Sequence, residues 1–146
     1  MKKTITQDEA KNFGITTNHE LMDNGEKRFR LLASDGTSYI RIEAPDIGCW
    51  QNSHYHTSLQ EMCIVQSGWV VFAEESGDEI RFRKFNKCEY FLTQPNVPHN
   101  VYMSANAITL TVKFGHIEES DWIAYHKLDE KTKPISESDL EDLVAC

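Results

Sequence analysis

His54 and His56 stand two residues apart, Glu61 follows five residues after the second, and a third histidine, His99, comes after a segment stiffened by Pro95 and Pro98. Imidazole nitrogens and a carboxylate oxygen are ligands for divalent first-row metals. On a strand, side chains two residues apart leave the same face roughly 6 to 7 Å apart at Cα, close enough for both imidazoles to meet one ion. Glu61 lies at odd separation from both, so shared ligation requires the chain to reverse within residues 57–60 and return Glu61 antiparallel beside the histidines. Closure of a barrel that brings His99 against this cluster gives three nitrogens and one oxygen around an ion. One or two coordination positions then stay open for water, dioxygen or substrate.

With Gly48 and Gly68, these residues match every fixed position of G-x5-H-x-H-x4-E-x6-G, the first motif of the cupin superfamily, which the chain therefore resembles. The second cupin motif, G-x5-P-x-G-x2-H-x3-N, is met at His99 alone: Cys88, Gln94, Asn96 and Met103 stand where that motif has glycine, proline, glycine and asparagine. Asn96 tolerates the left-handed conformation that glycine there would supply. The resemblance covers residues 48–103 directly. It implies an all-β fold, a double-stranded β-helix or jelly-roll barrel, with His54, His56, Glu61 and His99 holding one divalent transition metal ion, Fe, Mn, Ni or Zn. Cupin activities include dioxygenation, decarboxylation, isomerisation, epimerisation and non-catalytic ligand binding, and fold alone does not choose among them.

The elements that must position these residues are short strands. Runs at 29–33 and 39–44 flank Ser34-Asp35-Gly36-Thr37, and runs at 69–74 and 79–85 flank Glu75-Ser76-Gly77-Asp78, which predicts two hairpins. Further runs at 49–56, 61–66, 89–93, 99–103 and 107–114 make about nine strands at the spacing of a sandwich or barrel. Thr6 and Glu9 have capping-box spacing ahead of a short helix over 7–13, and Ser136 with Asp139 cap another over 137–145. Leu140, Leu143 and Val144 give the second helix an apolar stripe that packs outside the barrel or on a second subunit. The 146 residues read as one domain, with a barrel core over about 27–115 and a C-terminal extension over about 116–146.

Strand parity places Trp50 and Asn52 on the face of His54, Cys63 on that of Glu61, and Val101 and Met103 on that of His99, making these five the candidate pocket walls. Arg41 and Lys113 sit on strands and could meet an anionic substrate, but solvated charges on the outer face are the favoured reading, and His19, His116 and His126 are read as ordinary surface histidines. Fifteen basic against twenty-three acidic residues give a formal charge of -8, which repels phosphate backbones and anionic lipid. The predicted partners are a small-molecule ligand and a second copy of the chain in a homodimer that covers a sheet edge, with no nucleic acid or membrane. Met1-Lys2-Lys3-Thr4 leads into a polar stretch without the apolar region of a secretory signal, and four cysteines without a C-x2-C pair suit a reducing compartment, so the cytoplasm is expected.

The complete ligand set predicts a metal-dependent enzyme on a small polar molecule, dioxygenase-like or another oxidoreductase. A metal-assisted sugar isomerase or lyase, and a metallated module that binds a small ligand without transforming it, are the alternatives these residues leave open.

Overall fold

The computed structural model describes residues 1–115 and 121–145. Strands account for 46% and helices for 14% of the described residues, in two antiparallel sheets, so the chain is mostly β with short helices at the periphery. Helix α1 (Gln7–Lys11) is followed by β1 (Ile15–Leu21), β2 (Lys27–Ala33), β3 (Ser38–Glu43), β4 (Cys49–Trp50), β5 (His54–Tyr55), β6 (Gln60–Ser67), β7 (Trp69–Ser76), β8 (Glu79–Asn86), β9 (Tyr90–Leu92), β10 (His99–Met103), β11 (Ile108–Phe114) and β12 (Ile123–Ala124). Helices α2 (His126–Thr132) and α3 (Glu137–Val144) end the chain. One sheet runs β1-β2-β3-β11-β6-β9, the other β12-β5-β10-β7-β8, with β4 also on β10.

Both predicted hairpins form, β2 with β3 and β7 with β8. Strands β1 and β12 and helix α2 are not among the elements the sequence predicts. β1 pairs with β2 along its whole length, so the first sheet begins at Ile15. Its polar run, Thr16-Thr17-Asn18-His19-Glu20, lacks the apolar alternation of a half-buried strand. Both capping boxes are made, by Thr6 with Glu9 and by Ser136 with Asp139.

The core between the sheets is built from Ile40, Ile42, Val65, Val70, Phe72 and Phe91, with Cys63 and Met103 among them. A second cluster lies outside the β10-β7 face, where Leu140 of α3, with Ile135 and Val144, covers Trp50, Val71, Ala73 and Tyr102. Leu143 is exposed; the stripe that packs runs through Leu140 and Val144, one helical turn apart.

Two glycines of the first motif have separate physical reasons. A Cβ at Gly48 would stand 2.0 Å from the Tyr102 hydroxyl. Gly68 has φ +72°, and a Cβ there would meet Ser104 and Ala107 within 3.0 Å as the chain crosses from β6 in one sheet to β7 in the other. At the second motif's glycine positions, Cys88 (φ 72°) and Asn96 (φ 62°) both keep the left-handed conformation, so the turns survive without glycine.

Candidate metal centre

β5 and β10 are hydrogen-bonded neighbours whose register sets His99 directly opposite His54, while β6 carries Glu61 in the facing sheet. The chain between His56 and Glu61 does not return antiparallel beside the histidines. It crosses the barrel, so Glu61 meets them face to face. Asp121 secures this crossing: its carboxylate accepts from the N–H groups of Thr57, Ser58 and Leu59 and from the Thr57 hydroxyl. Burial would raise the Asp121 carboxyl, but these donors outweigh it and hold it well below the usual carboxylate range.

Each histidine turns Nδ1 to a backbone carbonyl: His54 to Asn52 at 2.9 Å, His99 to Val97 at 3.0 Å, and His56 to Asp121. This fixes the Nδ1–H tautomer and leaves the three Nε2 lone pairs facing inward. All three Nε2 atoms are buried without a hydrogen-bond partner among the described residues. Glu61 oxygens lie 3.3 Å from Nε2 of His56, 3.6 Å from that of His99 and 4.0 Å from that of His54, and the four ligand atoms fall within 4.8 Å of one another. Metal–ligand bonds near 2.1 Å set ligand atoms about 3 to 4 Å apart around one ion, so the cluster fits a single divalent ion. Burial, then neighbouring His99, push the His54 imidazole down to about 3 against the opposing pull of Glu61, which keeps that ring neutral and ready to ligate. Burial alone would raise the Glu61 carboxyl; the facing imidazoles of His56 and His99 and the Lys113 ammonium hold it well below its ordinary value.

The cluster forms one end of a cavity of about 350 Å³. Of the predicted walls, Asn52, Cys63 and Val101 line it. Burial pushes the Cys63 thiol up to about 12, so it is a neutral wall group. Trp50 does not line it. Trp50 is the register partner of Tyr102, and the five residues from Trp50 to His54 run beside only four on β10, Tyr102 to His99; the extra residue inverts the parity and turns Trp50 outward, where its Nε1 donates to the Ile135 carbonyl. Gln51 takes the inward place, its amide 3.5 Å from the Met103 sulfur. Met103 points inward but is fully buried core beneath Gln51.

Lys113 corrects another expectation. It is no outer-face charge: it lines the cavity with Nζ 2.9 Å from Glu61 Oε1. Arg41 does lie outside, paired with Glu43 at 2.9 Å. His19 and His126 are exposed, and His116 lies outside the described residues. Arg28, Arg30 and Trp122 also line the cavity, and none was singled out from sequence. Trp122 stacks on His54 with ring centroids 5.2 Å apart. Asp129 accepts from the Ser53 N–H and the Asn100 amide, bracing the two histidine strands from behind.

No family model matches this chain, and no curated protein matches it. Solved structures do. Oxalate decarboxylase of Bacillus subtilis matches with a TM-score of 0.61 at 8% identity, over 87% of this chain and 37% of that one. A study of the Mn(II) centres of the same enzyme matches at 0.60 and 9%, with the same coverage. The Lactobacillus farciminis oxalate decarboxylase formate complex matches at 0.59 and 10%, over 87% of this chain and 41% of that one. The chain thus spans about two-fifths of the length of these proteins. They are cupins, and the fold of this chain is the cupin fold.

Proposed function

We propose that this cupin-fold protein is a metal-dependent enzyme acting on a small, oxygen-rich molecule, with dioxygenase-like or other oxidoreductase chemistry. One observation carries the proposal: three buried, partnerless Nε2 atoms and the Glu61 carboxylate converge at the end of a cavity large enough for a small ligand. The Mn(II) centres of the fold neighbour from B. subtilis support a divalent ion here. A bound Fe, Mn, Ni or Zn ion would polarise coordinated oxygen atoms and, where redox-active, exchange electrons with them. The protein's own residues do the rest. His54, His56, Glu61 and His99 hold the site, Asp121 fixes the crossing between them, Ile40, Ile42 and Phe91 exclude water, and Trp122 walls the mouth beside His54.

A second reading, a redox-neutral lyase or isomerase, is favoured by Lys113, whose ammonium supplies an acid on the cavity wall separate from the metal-ligand set. Free thiols at Cys49, Cys63 and Cys88 suit a reducing compartment such as the cytoplasm. A homodimer completes the proposal; its interface is the outer face of the β1-β2-β3-β11-β6-β9 sheet, in place of the sheet edge expected from the sequence.

The first test is elemental analysis of protein purified without a chelating tag, native against a His54→Ala/Glu61→Ala double variant. About one equivalent of a transition metal, lost in the variant, is expected; no metal in either after reconstitution overturns the proposal. Oxygen uptake with enediol, diketone and hydroxy-acid candidates then supports the oxidoreductase reading. Anaerobic turnover supports the lyase or isomerase, and a ligand recovered unchanged supports a binding module.

A further inference from the structure

Strand β2 inverts the usual arrangement of a barrel wall. Phe29 and Leu31 face outward and are exposed, while Arg28 and Arg30, alternating with them, turn into the barrel and line the same cavity as the metal-site residues. Cationic groups drawn out of water need partners, and both have one. Arg28 donates from Nε and one Nη to a single oxygen of Glu26, at 3.0 and 2.7 Å. Glu26 is fully buried, its other carboxylate oxygen has no partner among the described residues, and it holds the guanidinium in place. Arg30 donates from one Nη to Glu20 at 2.5 Å. Among the described residues its other Nη reaches only the Met22 thioether at 3.9 Å, a weak acceptor, and Met22 lines the cavity as well. Glu20 is half-exposed, and a pair with an exposed partner is worth little, so a ligand can compete for Arg30.

β2 is separated from β6, which carries Glu61, by β3 and β11, which sets the two backbones about 14 Å apart. Register carries Arg30 through Ile40 and Thr111 to Cys63, and Arg28 through Ile42 and Thr109 to Val65, two and four residues along β6 from Glu61, so the arginines and the metal-site residues line opposite ends of one cavity. Between them lie the short side chains of Ile40, Ile42, Thr109 and Thr111, which leave room for a chain of a few carbons and offer no charge.

We propose that Arg28 and Arg30 form an oxyanion subsite at the end of the cavity remote from the metal ligands. The substrate is then a molecule with oxygen ligands at one end and a carboxylate or phosphoryl group at the other, joined by a carbon chain that fits within the cavity of about 350 Å³. Arg28 provides a fixed charge and Arg30 the exchangeable donor. This rests on the reading of the four-residue cluster as a metal centre.

The test is calorimetric titration of the metal-loaded, full-length protein with malonate, succinate, glutarate and adipate, against monoacids of equal carbon number and against 3-phosphopropionate. One diacid of this series is expected to bind about tenfold or more tighter than its monoacid, the strength of one charge-assisted contact. Arg30→Gln should remove that advantage while leaving monoacid binding and metal content unchanged. Because Arg28→Gln alone would strand the buried Glu26 carboxylate, the second variant is Arg28→Gln/Glu26→Gln, which removes both charges together. Tighter binding of 3-phosphopropionate than of any diacid assigns the subsite to phosphoryl groups. Equal binding of diacids and monoacids by the native protein, or a preference that survives both variants, overturns the proposal. Metal content measured on the same samples separates the two readings: absence of metal overturns the metal centre alone, and the Arg30 dependence of glutarate binding by the metal-free protein then decides the subsite.

Discussion

Lys113 on β11 is the register partner of Glu61 on β6, and its ammonium lies 2.9 Å from the carboxylate that the three histidines face. Without metal, this contact supplies the positive charge that Glu61 needs. With a divalent ion bound, the same ammonium is a like charge beside it. Lys113→Met therefore destabilises the metal-free protein, by about 1 to 3 kcal/mol for a buried carboxylate stripped of its charged partner, and tightens metal binding. Paired measurements of Tm without metal and of metal affinity by chelator competition check this. Weaker metal binding in the variant would make Lys113 part of the support for the ion rather than its competitor.

Asp121 joins two ligands from a distance: its carbonyl accepts from His56, and its carboxylate gathers the N–H groups of residues 57–59 on the way to Glu61. Asp121→Ala keeps the carbonyl but frees the crossing, and groups that orient metal ligands are worth about tenfold to a hundredfold in affinity. Metal affinity should fall in that range with the metal stoichiometry still one. A variant with unchanged affinity would show that the turn holds its shape unaided.

The convergence of His54, His56, Glu61 and His99 was legible because the period-two spacing of the first pair and the motif match are local, although the chain crosses to the facing sheet between His56 and Glu61 where the sequence suggests a reversal. The two hairpins and both helix caps were legible for the same reason. The cavity wall was not. In Lys27-Arg28-Phe29-Arg30-Leu31 and Val112-Lys113-Phe114 the alternation separates two faces but says nothing about which is inside, and the habit of placing apolar residues inward puts Arg28, Arg30 and Lys113 on the wrong side. Trp50 escaped for a different reason, since one extra residue opposite β10 reverses parity and leaves no mark in composition. Asp121, sixty-five residues after His56, has no spacing signal that ties it to the site.

The neutral state of His54 makes metal-free stability depend on pH. Its pKa falls from an unfolded value near 6.5 to about 3 in the folded protein, so between these values the unfolded chain binds a proton that the folded chain refuses. The stability is present in full above about pH 6.5 and is lost as pH falls toward 3; Glu61, also held low, adds a loss of the same sign at the acid end. The Tm of metal-free protein should fall steadily from pH 7 to pH 4, and His54→Gln should make the fall shallower. An equal slope in the variant would place the titration elsewhere.

The outer face of the β1-β2-β3-β11-β6-β9 sheet carries a row that crosses five strands in register, Leu31, Tyr39, Val112, Met62 and Leu92, with Phe29 and Tyr90 beside it and Leu31, Tyr39 and Val112 exposed by 46%, 40% and 40%. The corresponding face of the other sheet is covered by the chain's own α3. Six strands of this length offer on the order of 600 Å² of flat area, the scale of what one partner buries in a stable dimer. A second copy of the same face matches it in shape and polarity, and a two-fold axis closes the contact without leaving the row open to further association. Light scattering on the native protein should give twice 16.8 kDa. Val112→Glu, which sets a carboxylate at the centre of the row, should give the single-chain mass with the β-sheet circular dichroism unchanged, and Tyr39→Lys should do the same from the neighbouring strand. A native protein that runs as one chain would mean that the row is left to water, and a dimer untouched by either substitution would place the contact on a sheet edge instead.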